Sequence, residues 1–218
     1  SFEEISVDQT GNNKIKISSD KKPFFKDVTE KAGLNYLQNS QDKNYDDLNY
    51  LKNNLAELFS GGAAVGDYDN DGYLDLFVAN EGDNFLYRNN QGPEFIKVIA
   101  DTIVNDGGNS RGCNWGDYDN DGDLDLFVVN ITIDNFLYQN NGNGNFTRIT
   151  DGSVVNDAGN SRGSSWGDYD NDGDLDLFVA NGNDENNFLY RNNGFPDYSF
   201  TKIVTGAVVA DGGNSRGS

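Results

Sequence analysis

The chain contains no histidine and no methionine, a single cysteine, three prolines and only 16 basic residues against 36 acidic ones. Each shortage closes off a class of function. Without histidine, no Ser-His or Cys-His nucleophile can be assembled within this chain, and zinc has no His/Cys cluster to bind. Cys113 cannot form a disulfide within the chain, and it aligns with Ser164 and Ser218 in the repeat described below, so a catalytic thiol is not expected. The formal charge of −20 repels phosphate backbones and anionic membrane surfaces, which argues against a nucleic-acid partner. No run approaches the roughly 20 apolar residues a bilayer span needs, so no transmembrane segment is expected. Ser1-Phe2-Glu3-Glu4 has neither the basic start nor the apolar core of a signal peptide. The compartment is left open between a chain cleaved from its signal and a cytosolic one.

What the chain has in quantity is Asp, Asn and Gly, with aromatic residues at 12% to fill a core. This composition reads as a folded, turn-rich, all-β chain. Three segments align without gaps, at residues 66–78, 116–128 and 167–179, each beginning Gly-Asp-Tyr-Asp-Asn-Asp-Gly. A second marker, Asn-Phe-Leu-Tyr, starts at Asn84, Asn135 and Asn187, and a third, Gly-Asn-Ser-Arg-Gly, starts at Gly108, Gly159 and Gly213. All three share a period near fifty residues, which establishes a repeat.

Within one repeat, Asp176-Leu177-Phe178-Val179-Ala180 reads as a short buried strand. Asn187-Phe188-Leu189-Tyr190-Arg191 reads as a second, ended by the turn Asn192-Asn193-Gly194, and Phe200-Thr201-Lys202-Ile203-Val204 as another. Four short strands in about fifty residues match a β-propeller blade, whereas a helical solenoid needs long runs of three-to-four spacing. The expected organisation is a polar segment at 1–22, then blades over 23–218. These divide into a partial blade with a helical insertion at 23–65, blades at 66–115 and 116–166, and a blade with the start of the next at 167–218. The insertion is placed near 44–59, where Leu48, Leu51, Leu55, Leu58 and Phe59 share a helical stripe behind Asp46 and Asp47. About three and a half blades do not obviously close a ring, so the chain is expected to be part of a longer polypeptide, the alternative being a self-contained four-blade ring completed by the N-terminal strand.

The Asp-rich loops carry the chemistry. Carboxylates stand at positions one, three, five and nine: Asp67, Asp69, Asp71 and Asp75; Asp117, Asp119, Asp121 and Asp125; Asp168, Asp170, Asp172 and Asp176. Acids on alternate residues converge on one centre, and calcium takes six to eight such oxygens. The glycine at position six allows the sharp turn, and the position-seven carbonyl (Tyr73, Asp123, Asp174) supplies a further oxygen. An EF-hand needs a Glu at position twelve, but Val78, Val128 and Val179 stand there, and magnesium prefers fewer protein ligands. The alternative, that these residues only build hairpin turns, is hard to reconcile with three copies that each keep all four acids. About three Ca2+ per chain are expected.

These residues resemble the FG-GAP/VCBS repeats of integrin α-subunit propellers and of many bacterial surface and secreted proteins. The resemblance covers roughly residues 60–218, and its calcium pattern falls on the twelve aspartates named above. Val78-Ala79-Asn80 stands where the integrin type has Gly-Ala-Pro, and Trp-Gly-Asp-Tyr-Asp-Asn-Asp-Gly-Asp is closer to the bacterial type, so integrin-style ligand recognition is not carried over. The resemblance implies a propeller, commonly seven-bladed, in an extracellular, cell-surface or periplasmic setting where calcium is abundant.

Other recurring residues have plainer readings. Arg111, Arg162 and Arg216 form either a ring that holds a carboxylate or acidic sugar, or, as preferred, ion pairs with loop aspartates. Trp115 and Trp166 are either sugar platforms or, as preferred, core. Asn130-Ile131-Thr132 and Asn145-Phe146-Thr147 fit the glycosylation acceptor pattern. The expected function is a non-enzymatic, calcium-stabilised binding or scaffold module for a protein or carbohydrate ligand. It would be assembled with further blades of the same polypeptide or of a partner chain. The alternatives are an accessory part of a polysaccharide-active enzyme and a calcium-dependent lectin.

Overall fold

The computed structural model describes residues 5–7, 13–15, 61–91, 94–142, 144–210 and 212–215. The expected helix at 44–59 and nearly all of the partial blade at 23–65 lie outside these residues. Within the expected polar segment, β1 (Ile5–Val7) pairs antiparallel with β2 (Asn13–Ile15).

Three four-stranded antiparallel sheets follow, each a simple meander in chain order. The first holds β3 (Ala63–Gly66), β4 (Asp75–Val78), β5 (Phe85–Asn89) and β6 (Phe95–Val98). The second holds β7 (Ser110–Gly116), β8 (Asp125–Asn130), β9 (Phe136–Asn140) and β10 (Phe146–Ile149). The third holds β11 (Ser161–Gly167), β12 (Asp176–Asn181), β13 (Phe188–Asn192) and β14 (Phe200–Ile203). These are blades of a β-propeller, and the Asp loop is the connection between the first and second strands of each.

The packing explains the sequence pattern. Every residue of β8 is buried, because both faces of the second sheet are covered. Leu126 and Val128 join a core with Tyr68, Phe77 and Leu86 of the first sheet, while Phe127 and Val129 join one with Leu177, Val179 and Tyr190 of the third. A strand covered on both sides loses the apolar–polar alternation and becomes a continuous hydrophobic run.

Aromatic rings join the blades. Trp115 stacks on Tyr68 with centroids 6.1 Å apart and planes 8° from parallel, and Trp166 stacks on Tyr118 at 6.4 Å and 12°. In each pair the Trp comes from the first strand of one blade and the Tyr from the Asp loop of the blade before it. Phe77 and Phe127 meet the same two indoles edge-on. Both tryptophans are therefore core residues of the blade interfaces.

One-turn helices at Thr102–Asn105, Ser153–Asn156 and Ala207–Ala210 connect or follow the sheets and were not expected from the sequence. They insert Ile103, Val104, Val154 and Val155 into the interface cores. Asp101 caps the first, its carboxylate accepting from the Ile103 N–H at 3.2 Å.

Candidate metal sites

Each Asp loop is built by its own carboxylates. The first acid closes the turn: Asp117 accepts from the N–H groups of Asp121 and Gly122, both at 3.0 Å, and Asp67 and Asp168 do the same in their loops. The fifth accepts from the N–H at position seven, at 2.9 Å in the first two loops and 3.0 Å in the third. The ninth opens the second strand and is buried. Asp125 accepts from Tyr118 N–H at 3.0 Å and Asn140 N–H at 2.8 Å, and Asp75 and Asp176 hold the same pair of partners. Position six is glycine with φ of 89°, 95° and 96° in Gly72, Gly122 and Gly173, a left-handed backbone that a Cβ would strain.

The third acid is different. One oxygen of Asp119 accepts from the Gln139 side-chain amide at 2.5 Å, but Oδ1 is buried without a partner, and Asp69 Oδ1 is in the same state. Asp119 is only 8% exposed. An orphaned, buried carboxylate oxygen costs free energy unless something cationic meets it. The cluster around it fits that role. Oxygens of Asp67, Asp69 and Asp71 lie within 4.8 Å of one another, as do those of Asp117, Asp119 and Asp125, and those of Asp168, Asp170 and Asp176. Each set brings together three of the four acids singled out in its loop: positions one, three and five in the first, and one, three and nine in the others. Such a donor set, all oxygen and partly dry, suits a hard divalent cation.

The electrostatics agree. Burial pushes the Asp125 carboxyl up to about 8 and Asp75 to about 6, in each case against the lowering effect of the two backbone N–H groups. Burial likewise raises Asp176, Asp69 and Asp119, with neighbouring loop acids adding to the rise. The third and ninth acids of the first two loops, and the ninth of the third, thus hold protons more tightly than free carboxylates do, and a bound dication would displace them.

At position seven, the side chains of Asp123 and Asp174 accept from the amides of Asn70 and Asn120 in the preceding loop, at 2.6 and 2.7 Å. Tyr73 has no such partner among the described residues and is exposed. A second link comes from the third strand. The Asn140 amide donates to the carbonyls of Leu124 in its own loop and Tyr68 in the loop before, and Asn192 does the same to Leu175 and Tyr118. Their recurrence in step with the aspartates is visible in the sequence, where Asn192 reads only as a turn residue and the bridge between loops does not show.

Arg111 and Arg162 are both partly buried. They sit at the bulges that open β7 and β11, at the far end of those strands from Asp117 and Asp168, and Arg216 lies outside the described residues. Of the two acceptor patterns, Asn130 is fully buried, its amide held by the Asp134 carbonyl and Ser110, while Asn145 is exposed. Cys113 packs beside the first interface core, and burial pushes its thiol up to about 12.

The FG-GAP-like repeat family model matches residues 67–128 and 117–179, which together span more than half the chain and contain all three Asp loops. The chain belongs to the FG-GAP-like repeat family. Among curated proteins, none matches this FG-GAP-like chain. Of solved structures, it is similar to an Agrocybe aegerita lectin described as recognising non-reducing terminal N-acetylglucosamine. The identity is 18% and the TM-score 0.44, over 67% of this chain and 38% of the lectin's. The FG-GAP-like chain thus spans well under half the length of that structure. Among its described residues, no helix is long and apolar enough to cross a membrane.

Proposed function

We propose that the chain is a non-enzymatic binding or scaffold module whose three Asp loops each hold a calcium ion. The observation that carries this reading is the orphaned, buried Oδ1 of Asp119 at the centre of a convergent carboxylate cluster. The ligands would be the acids at positions one, three, five and nine, joined by the position-seven carbonyls of Tyr73, Asp123 and Asp174. Calcium, when bound, would supply positive charge that offsets the mutual repulsion of these acids. The protein's own groups then do the positioning. Backbone N–H groups fix the first, fifth and ninth acids, and the inter-loop amides fix one loop against the next.

Metal at this end of each blade locks the turn between its first two strands, which supports thin-cored blades. An extracellular, cell-surface or periplasmic setting would keep such loops filled. The opposite end of the blades, which carries the longer blade-to-blade connections at 99–109 and 150–160, and the outer loops would be free to meet a protein or carbohydrate ligand. The division at residue 23, with a propeller running from there to 218, is part of the same proposal.

Calorimetric titration with calcium, paired with thermal melting in calcium and in chelator, tests it. The expected result is three ions per chain, one for each cluster, and a marked drop in melting temperature in chelator. No heat of binding together with unchanged melting would leave the acids as turn formers alone.

A further inference from the structure

The three loops share a sequence pattern but not an electrostatic setting. The residue that follows the tyrosine of each third strand meets the position-three acid in the first two blades but not in the third. It is Arg88 in β5, Gln139 in β9 and Arg191 in β13. Arg88 Nη1 lies 3.9 Å from Asp69 Oδ2. Gln139 instead places a neutral amide on Asp119 Oδ2, orienting that carboxylate while leaving Oδ1 open. Arg191 is turned to the Asn193 side chain, donating to it at 3.4 Å.

Two further differences act in the same direction. Position seven is an acid in the second and third loops but Tyr73 in the first. Among the clustered acids, Asp119 and Asp125 are both buried, whereas Asp71 in the first loop and Asp168 and Asp170 in the third are exposed. The middle loop therefore has as many acids as the third, with less water around them, and among the described residues no cation is paired with its position-three acid. The first has the fewest acids and a guanidinium beside them.

We propose that the three loops bind divalent cations with graded affinity, the middle loop tightest and the first weakest, and that Arg88 and Gln139 set the grading. This rests on the reading of the loops as metal sites. Arg88 acts as a built-in competitor. It partly neutralises Asp69 when no metal is bound, and a dication entering the loop must displace it or endure its repulsion. Its side chain is 45% exposed, so water screens much of that field. The expected penalty on metal affinity is on the order of tenfold. Gln139 carries no charge and imposes no such penalty.

The test is calcium titration by calorimetry on the whole chain and on three variants, with melting in chelator to confirm that each is folded. The wild type is expected to fill one tight site before the others, and Asp119→Asn to remove that tight site. Arg88→Gln should tighten the weakest site by about tenfold, and Gln139→Arg should weaken the tight one by at least as much. Should Gln139→Arg fail to fold, the half-exposed Arg88→Gln decides the matter alone. Equivalent sites unmoved by Arg88→Gln would overturn the grading while leaving the loops as metal sites. A tight site that survives Asp119→Asn would overturn its assignment to the middle loop. No binding by the wild type would overturn the metal reading itself, and the grading with it.

Discussion

The ninth acid of each loop has a job that does not depend on metal. Asp125 joins the Tyr118 N–H, seven residues before it, to the Asn140 N–H, fifteen residues after it, and so ties loop, second strand and third strand together. Replacing one of its oxygens with an amide nitrogen would set a donor against a buried donor. Asp125→Asn is therefore expected to cost about 2 kcal/mol, and to do so in chelator as well as in calcium, measured by urea unfolding. Asp121 is exposed, and its side chain accepts from the N–H at position seven. Asp121→Asn should change stability in chelator little while weakening calcium binding in the same titration. The acids themselves were legible in the sequence because they repeat at fixed local spacing. The roles of Asn70 and Asn120 were not, because their acceptors Asp123 and Asp174 lie 53 and 54 residues away and no local pattern marks the pairing.

At the scale of elements, the strands could be read from runs such as Leu-Phe-Val, since short, β-branched and aromatic stretches between turn residues suit little else. The one-turn helices could not, because four residues are too few to show a helical period. The tryptophans and the glycines that follow them make the blade joints testable. A Cβ on Gly116 would come within 2.6 Å of the Trp166 ring, whereas one on Gly167 would meet nothing within 4 Å. The Trp166 ring is stacked on Tyr118 and flanked by Phe127 and Phe200, so it has little freedom to retreat. Gly116→Ala is expected to destabilise by about 1–3 kcal/mol and Gly167→Ala to be close to neutral, compared by thermal or urea melting of this chain. Equal effects would mean that the indole does not fix the spacing of the blades.

For the molecule as a whole, charge dominates. Three calcium ions would move the formal net charge from −20 only to −14, so repulsion among the acids persists even with the loops filled. Raising sodium chloride towards about 1 M, where screening is nearly complete beyond a few ångströms, should raise the melting temperature clearly in chelator and less in calcium. A melting temperature indifferent to salt in chelator would mean that the clustered acids stay protonated and contribute no repulsion. The fold class was legible from the repeat alone, but the way the blades hold one another was not. Those contacts join residues about fifty apart that look unrelated until they are placed side by side. The stack of Trp115 on Tyr68 is repeated by Trp166 on Tyr118, and the bond from Asn70 to Asp123 is repeated by Asn120 to Asp174. Every unit thus offers on one side what it accepts on the other. A tandem duplication of one unit would arrive already complementary to its parent, so an array of this kind can lengthen in a single genetic step without evolving a new contact.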